Sequence, residues 1–187
     1  MKIDRSRLPE DVQQANSSVL DREENELLVN WRNPAYRRAI AAHEAAHYYY
    51  RRQAGSIRFF LLPPRFVYDP VTKVIRLALA SINSEWPPSV TSHAVEVVAR
   101  WSAAGAIWEQ ELCPGVTDAD ESAALDKIGF AEDIRKTNPH LTDEELKMVW
   151  TWAEEEVRKD FKNEAIRASI LKIAEELDRF LVEFLAN

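Results

Sequence analysis

Five residues of this 187-residue chain carry the spacing of a metal site: His43-Glu44-Ala45-Ala46-His47, an H-E-x-x-H pattern. Residues four apart project from one face of a helix. Two imidazoles so placed can hold one zinc ion, each nitrogen roughly 2.0–2.1 Å from the metal. Glu44 stands about 100° round the helix from His43 at 3.6 residues per turn. From there its carboxylate reaches a water on the metal without ligating the metal itself. Zinc acidifies that water, Glu44 takes its proton, and the oxygen attacks a carbonyl that the metal polarises. The chain has only four His, so two of them flanking a Glu at this spacing is seldom chance. The same pattern also arises where paired His merely satisfy core hydrogen bonds, which keeps a metal-free helical protein as a rival reading. A catalytic zinc needs a third protein ligand and an open position, so a His, Asp or Glu must arrive from another element.

The elements that would position these residues follow from caps and breakers. Asn33-Pro34 opens a helix, with Asn as cap and Pro at the first helical position. Residues 35–54 hold no breaker, and Gly55 supplies the stop. The motif is embedded in apolar sequence, Ala39-Ile40-Ala41-Ala42 before it and Tyr48-Tyr49-Tyr50 after, so its ligands are expected to be partly screened from water. Two β-like runs follow, Ser56–Leu62 and Val71–Ile82, separated by Pro63-Pro64 and Asp69-Pro70, which suggests an antiparallel pair lying on helices. Val90–Leu112 reads as a helix with Trp101 and Trp108 on one face, ended by Pro114-Gly115. Thr117 is placed to cap a further helix running to about Ile134, which Asn138-Pro139 breaks. Thr142 with Glu145 forms a capping-box pattern, and the Gly- and Pro-free stretch from there to Leu185 predicts a bend or two helices. Trp150, Trp152, Phe161, Phe180 and Phe184 are assigned to packing. Residues 1–30 read as a polar arm or surface helix and 31–187 as a single domain.

Composition narrows the class. With 46% apolar and 29% charged residues a packed core is expected, and a single cysteine, Cys113, excludes an internal disulfide or a Cys-rich zinc finger. The net charge of −7 is uneven: residues 31–76 hold nine Lys/Arg against two acids, residues 77–187 eleven against twenty-two. A basic middle packing on an acidic C-terminal half explains this, as does a local site for an acidic ligand, and the acidic total argues against a nucleic-acid binder. No run reaches the roughly 18 apolar residues of a membrane span. Met1–Arg5 opens no signal peptide, so a cytoplasmic protein without membrane partners is expected.

Arg38–Tyr48, Arg-Ala-Ile-Ala-Ala-His-Glu-Ala-Ala-His-Tyr, resembles the zinc helix of the FtsH-type metallopeptidase domain. In the same order, Leu61-Leu-Pro-Pro-Arg65 is similar to that family's short strand, and Ala103-Ala-Gly-Ala-Ile-Trp-Glu109 to its Gly-x-Ala-Ala-Glu helix. Gly115-Val-Thr-Asp-Ala-Asp120 falls where the family has a Gly-rich loop and the aspartate that completes the zinc site, and Glu155–Leu185 resembles its closing helices. The likeness spans residues 34–185 and is strongest at H-E-x-x-H. It departs at Ala46, where the family usually has Gly, and in carrying neither ATPase module nor membrane anchor, so processive degradation of folded proteins is not expected.

The resemblance implies a mainly helical α+β domain with a small antiparallel sheet and a zincin-like H-E-x-x-H helix. It implies one zinc per chain on His43, His47 and an aspartate. Asp120 is preferred because Ala124, Ile128 and Ala131 continue its stripe, with Asp118 the alternative and first-turn helix acids the ordinary explanation of both. His93 and His140 are taken as solvent-facing. Glu109 would orient a ligand imidazole, or else be a carboxylate of an amphipathic helix. Cys113 is read as a packed or surface thiol. Arg51 and Arg52 could meet an acidic substrate or complement the helix dipole. The function implied is a zinc metalloendopeptidase acting on peptide or unfolded protein, with Glu44 as general base. The alternative is a non-catalytic, peptidase-like binding or regulatory module with a structural or vestigial zinc.

Overall fold

In a computed structural model, the chain is described at residues 3, 5–6, 8–56, 58–62, 65–69, 74–78, 81–85 and 95–186. It is mainly helical, with seven helices among the described residues. These are α1 (Glu10–Ala15), α2 (Ser17–Arg32), α3 (Pro34–Gln53), α4 (Val95–Leu112), α5 (Ala119–Thr137), α6 (Asp143–Phe161) and α7 (Glu164–Ala186). None is long and apolar enough to cross a membrane.

The caps form as their residues dictate. Asn33 Oδ1 accepts from Ala35 N at 2.9 Å with Pro34 at the first helical position of α3. Thr142 and Glu145 close a reciprocal capping box at the start of α6. The long Gly- and Pro-free tail is two helices: α6 ends at Phe161, and Asn163 Oδ1 accepts from Ala165 N at 3.0 Å to open α7. An Asn side chain that bonds the next turn's amides competes with helix continuation, so a break needs no Gly or Pro.

The short strands are β1 (Arg58–Leu62), β2 (Arg65–Asp69), β3 (Val74–Ala78) and β4 (Ser81–Glu85). β1 pairs antiparallel with β4 and β2 with β3. Leu62 faces Ser81 and Arg65 faces Ala78, three residues further on along one chain and three back along the other, so both ladders share one register. Arg65–Asp69 is therefore strand rather than the connection expected between two runs. Prolines bracketing a strand mark its ends, where an amide donor is dispensable, as readily as they mark a turn. Pro63-Pro64, Pro70, His93 and the expected helical start at 90–94 lie outside the described residues.

The main core joins α3, α4, α5, α6 and α7 through Ala45, Ala46, Trp101, Ala104, Trp108, Phe130, Ile134, Trp150, Val157 and Ile170. Alanines at the crossing of α3 and α4 let the two backbones approach closely, and this brings α4 up against the motif. A second cluster gathers Ile3, Leu8, Leu20, Leu27, Trp31, Ile40, Phe66 and Leu181. Leu20, Leu27 and Trp31 form a single stripe of α2, so the N-terminal segment is a surface helix with one buried face, and the boundary expected at 30/31 falls inside it. Trp150 is buried and Phe161 stacks edge-on against Trp108 at 4.9 Å. Trp152 and Phe180 depart from the packing assignment: they lie on outward faces of α6 and α7, 37% and 38% exposed.

Candidate metal centre

α3 places His43 and His47 one turn apart on the face toward α4, with Asp126 of α5 beside them. Their ring centroids are 4.6 Å apart and their Nε2 atoms 3.0 Å. What the other ring nitrogens touch fixes the tautomers. His47 Nδ1 lies 2.6 Å from the carbonyl oxygen of Trp101, which can only accept, so Nδ1 carries the proton. His43 Nδ1 lies 2.8 Å from Glu109 Oε2 and donates to that carboxylate. In the neutral rings both Nε2 atoms are bare lone pairs pointed at one another. Such an arrangement is repulsive until a cation, metal ion or proton, sits between them.

The carboxylate that meets them is Asp126. Its Oδ1 is 3.5 Å from His47 Nε2 and its Oδ2 3.7 Å from His43 Nε2. His43, His47 and Asp126 each offer one ligand atom, all within 4.8 Å of one another. Ligands about 2.0–2.1 Å from a tetrahedral ion lie roughly 3.3 Å apart; the two Nε2 atoms are 3.0 Å apart, and the two Asp126 oxygens lie 3.5 and 3.7 Å from one imidazole each, distances of that scale. Asp126 Oδ2 is buried with no hydrogen-bond donor, a costly state for a carboxylate oxygen unless a cation faces it. Two imidazoles and a carboxylate are a donor set that suits zinc. The side chains of His43, His47 and Asp126 keep 14%, 11% and 18% of their surface in solvent, so the group is screened but reachable.

Asp120, the aspartate preferred from the sequence, is not brought to the imidazoles. It sits exposed in the first turn of α5, and Asp118 is that helix's N-cap, its Oδ1 accepting from Glu121 N at 3.0 Å. Most of the stripe that favoured Asp120 faces outward: Ala124 is exposed and Ile128 is 45% exposed, while Ala131 alone packs against the core. The buried stripe of α5 is Phe130 and Ile134, and Asp126 lies on it one turn earlier. Thr117, expected as the cap, instead donates its hydroxyl to Glu109 Oε1. His140 is exposed in the turn before α6, as expected.

α4 supplies the wall behind the imidazoles. Trp101, Gly105 and Glu109 succeed one another at four-residue steps along one face, giving in turn a carbonyl, a gap and a carboxylate. A Cβ at Gly105 would lie 2.5 Å from His47 Nε2 and 2.6 Å from His43 Nε2, so only glycine lets α4 pass this close. Glu109 is 1% exposed and stands where an orienting carboxylate is expected. Burial pushes its pKa up, but the His43 hydrogen bond and charge, with the Thr117 and Ser122 hydroxyls, hold it below the usual range. For Asp126 burial likewise raises, and the charges of His47 and His43 outweigh it.

Glu44 is buried beside His43 and is not one of the three grouped donors. Burial raises its pKa above the ordinary carboxylate value against the pull of His43, His47 and Arg51, the direction that makes a carboxylate a better proton acceptor near neutrality. Arg51, one turn past His47, packs its guanidinium 5.7 Å from the centre of the Trp101 ring and has its pKa lowered by burial. Cys113 is half-buried, with burial raising its pKa, and has no His beside it in the geometry described.

Without metal, burial opposes charging His43, but Asp126, the Glu109 hydrogen bond and Glu44 together raise its pKa to about 9. A pKa raised above the unfolded value of about 6.5 gives stability that is complete below pH 6.5 and lost as pH rises through about 9. In chelator, the urea midpoint is therefore expected to fall between pH 6.5 and 9.5, and His43→Ala to remove that slope. A metal ion bound to these imidazoles would oppose that slope, because protons compete with it for the same nitrogens.

Compared with family models, curated proteins and solved structures, the chain matches none of them.

Proposed function

We propose that the chain is a zinc-dependent peptidase that hydrolyses peptide bonds in peptides or unfolded protein, built on a zincin-like H-E-x-x-H helix resembling that of FtsH-type domains. The observation that carries this reading is the pair of Nε2 lone pairs 3.0 Å apart with the donor-less Asp126 Oδ2 beside them. Such a grouping favours a cation between its members, and a buried carboxylate, Glu44, stands just outside the donor set.

His43, His47 and Asp126 would hold the ion. When bound there, a zinc ion supplies Lewis acidity to a substrate carbonyl and acidifies a water. Glu44 takes the water's proton and returns it to the leaving amine, acting as base and then acid. Glu109 and the Trp101 carbonyl fix both imidazoles in the tautomer that presents Nε2 to the metal.

Protein purified without added metal is expected to carry about one zinc per chain by elemental analysis, consistent with one three-ligand site. Zinc-loaded protein is expected to cut an unfolded polypeptide, with new termini identified by mass spectrometry and cleavage abolished by chelator. One equivalent of zinc with no cleavage would replace the peptidase with a binding module. Absence of zinc even after dialysis against it would remove the metal centre as well.

A further inference from the structure

Glu109 is a carboxylate with almost no access to water, so its lone pairs must be met from within the protein. One oxygen, Oε2, receives His43 Nδ1. The other, Oε1, receives the hydroxyl of Thr117, which comes from the loop between α4 and α5 rather than from α3. That loop is tightly specified. Gly115 turns it with φ +72°, Val116 N closes back on Cys113 O at 3.3 Å, and Asp118 starts α5 as its cap. Thr117 is thereby returned over a glutamate eight residues earlier in the chain. The same short unit sets where α5 begins, and Asp126 sits two turns into that helix.

We propose that Thr117 is a positioning residue of the metal centre: by occupying Oε1 of Glu109 it turns Oε2 toward His43 and so holds the imidazole in the orientation that presents Nε2 to the ion. The inference rests on the metal reading above. The hydroxyl is the natural choice for this place, since a donor is required and a charge is not. Thr117→Val keeps shape and removes the donor, leaving Oε1 buried with one partner fewer. The Ser122 hydroxyl still bonds Glu109, but with one donor fewer the carboxylate is held less firmly, and the seat of His43 loosens with it. Partners that hold a ligand imidazole typically matter by about 10–100-fold in metal affinity.

The test is zinc affinity by competition with a chromophoric chelator, together with the visible absorption of the cobalt(II)-substituted protein, which reports ligand geometry. Thr117→Val is expected to weaken zinc about 10–100-fold and to alter the cobalt spectrum, while the chain remains folded in chelator at a urea midpoint lowered only by the loss of one buried hydrogen bond. Thr117→Ser, which restores the hydroxyl, is expected to recover both affinity and spectrum. In a Glu109→Gln background, Thr117→Val is expected to add no further loss, because coupled residues are non-additive. Wild-type affinity and spectrum in Thr117→Val would overturn the proposal, as would failure of the serine to rescue. Full additivity with Glu109→Gln would do so too, even if Thr117→Val were unstable. If wild type binds neither zinc nor cobalt, the metal reading falls and this inference with it; if only the Thr117 results fail, the metal reading stands.

Discussion

Glu44→Gln is expected to lower peptide hydrolysis by on the order of 10²- to 10⁴-fold, the scale of losing a general base, while zinc content stays at one equivalent. The substitution keeps the shape of a side chain that is buried beside His43 and removes its charge and its ability to accept a proton. Glu44 is outside the group formed by His43, His47 and Asp126, so the three side chains proposed to hold the ion are left in place. The measurement is kcat at saturating zinc with metal content read on the same sample. Equal turnover by the two proteins would exclude Glu44 as base. Lost turnover accompanied by lost zinc would make it a ligand instead.

The second large effect separates two aspartates six residues apart. Asp126→Ala is expected to cost more zinc affinity than the roughly 10- to 100-fold typical of partners that only orient a ligand. It deletes a carboxylate that lies within 4 Å of both Nε2 atoms. Asp120→Ala is expected to leave affinity unchanged, since its side chain is exposed in the first turn of α5. Asp118→Ala is expected to cost about 1 kcal/mol of stability through the lost cap without releasing metal. Titration of all three variants with zinc decides the matter; a loss at Asp120 matching that at Asp126 would mean that α5 adopts another rotation when the ion binds.

The H-E-x-x-H helix was legible because its signals are local: a cap, a proline, a four-residue spacing and a glycine stop all lie within one stretch of chain. The two-helix ending was legible for the same reason, though the break fell at Asn163, where a side chain rather than a backbone constraint does the work. The third carboxylate was harder. α5 is weakly amphipathic, and its small and apolar residues can be sorted into two stripes. Ala124, Ile128 and Ala131 made one, Phe130 and Ile134 the other. Bulk decides between them, because a phenylalanine is worth far more buried than an alanine, and Asp126 stands one turn before Phe130. A carboxylate at the head of a buried aromatic stripe is the signal that identifies it. The hold on His47 left no trace in side-chain chemistry, since a backbone carbonyl at Trp101 could belong to any residue. Thr117 was misassigned because a threonine before a helix is usually its cap; here the next residue caps, and the hydroxyl serves a long-range contact instead.

The bare backbone at Gly105 also acts as a gauge for assembly. Sliding α4 along α3 by one turn in either direction would bring Trp101 or Glu109 opposite the imidazoles, and the space there does not admit even a methyl group. Only one longitudinal alignment of the two helices is sterically open. The alignment that the bare backbone at Gly105 permits is thus also the one that brings two rings and a carboxylate toward a common point.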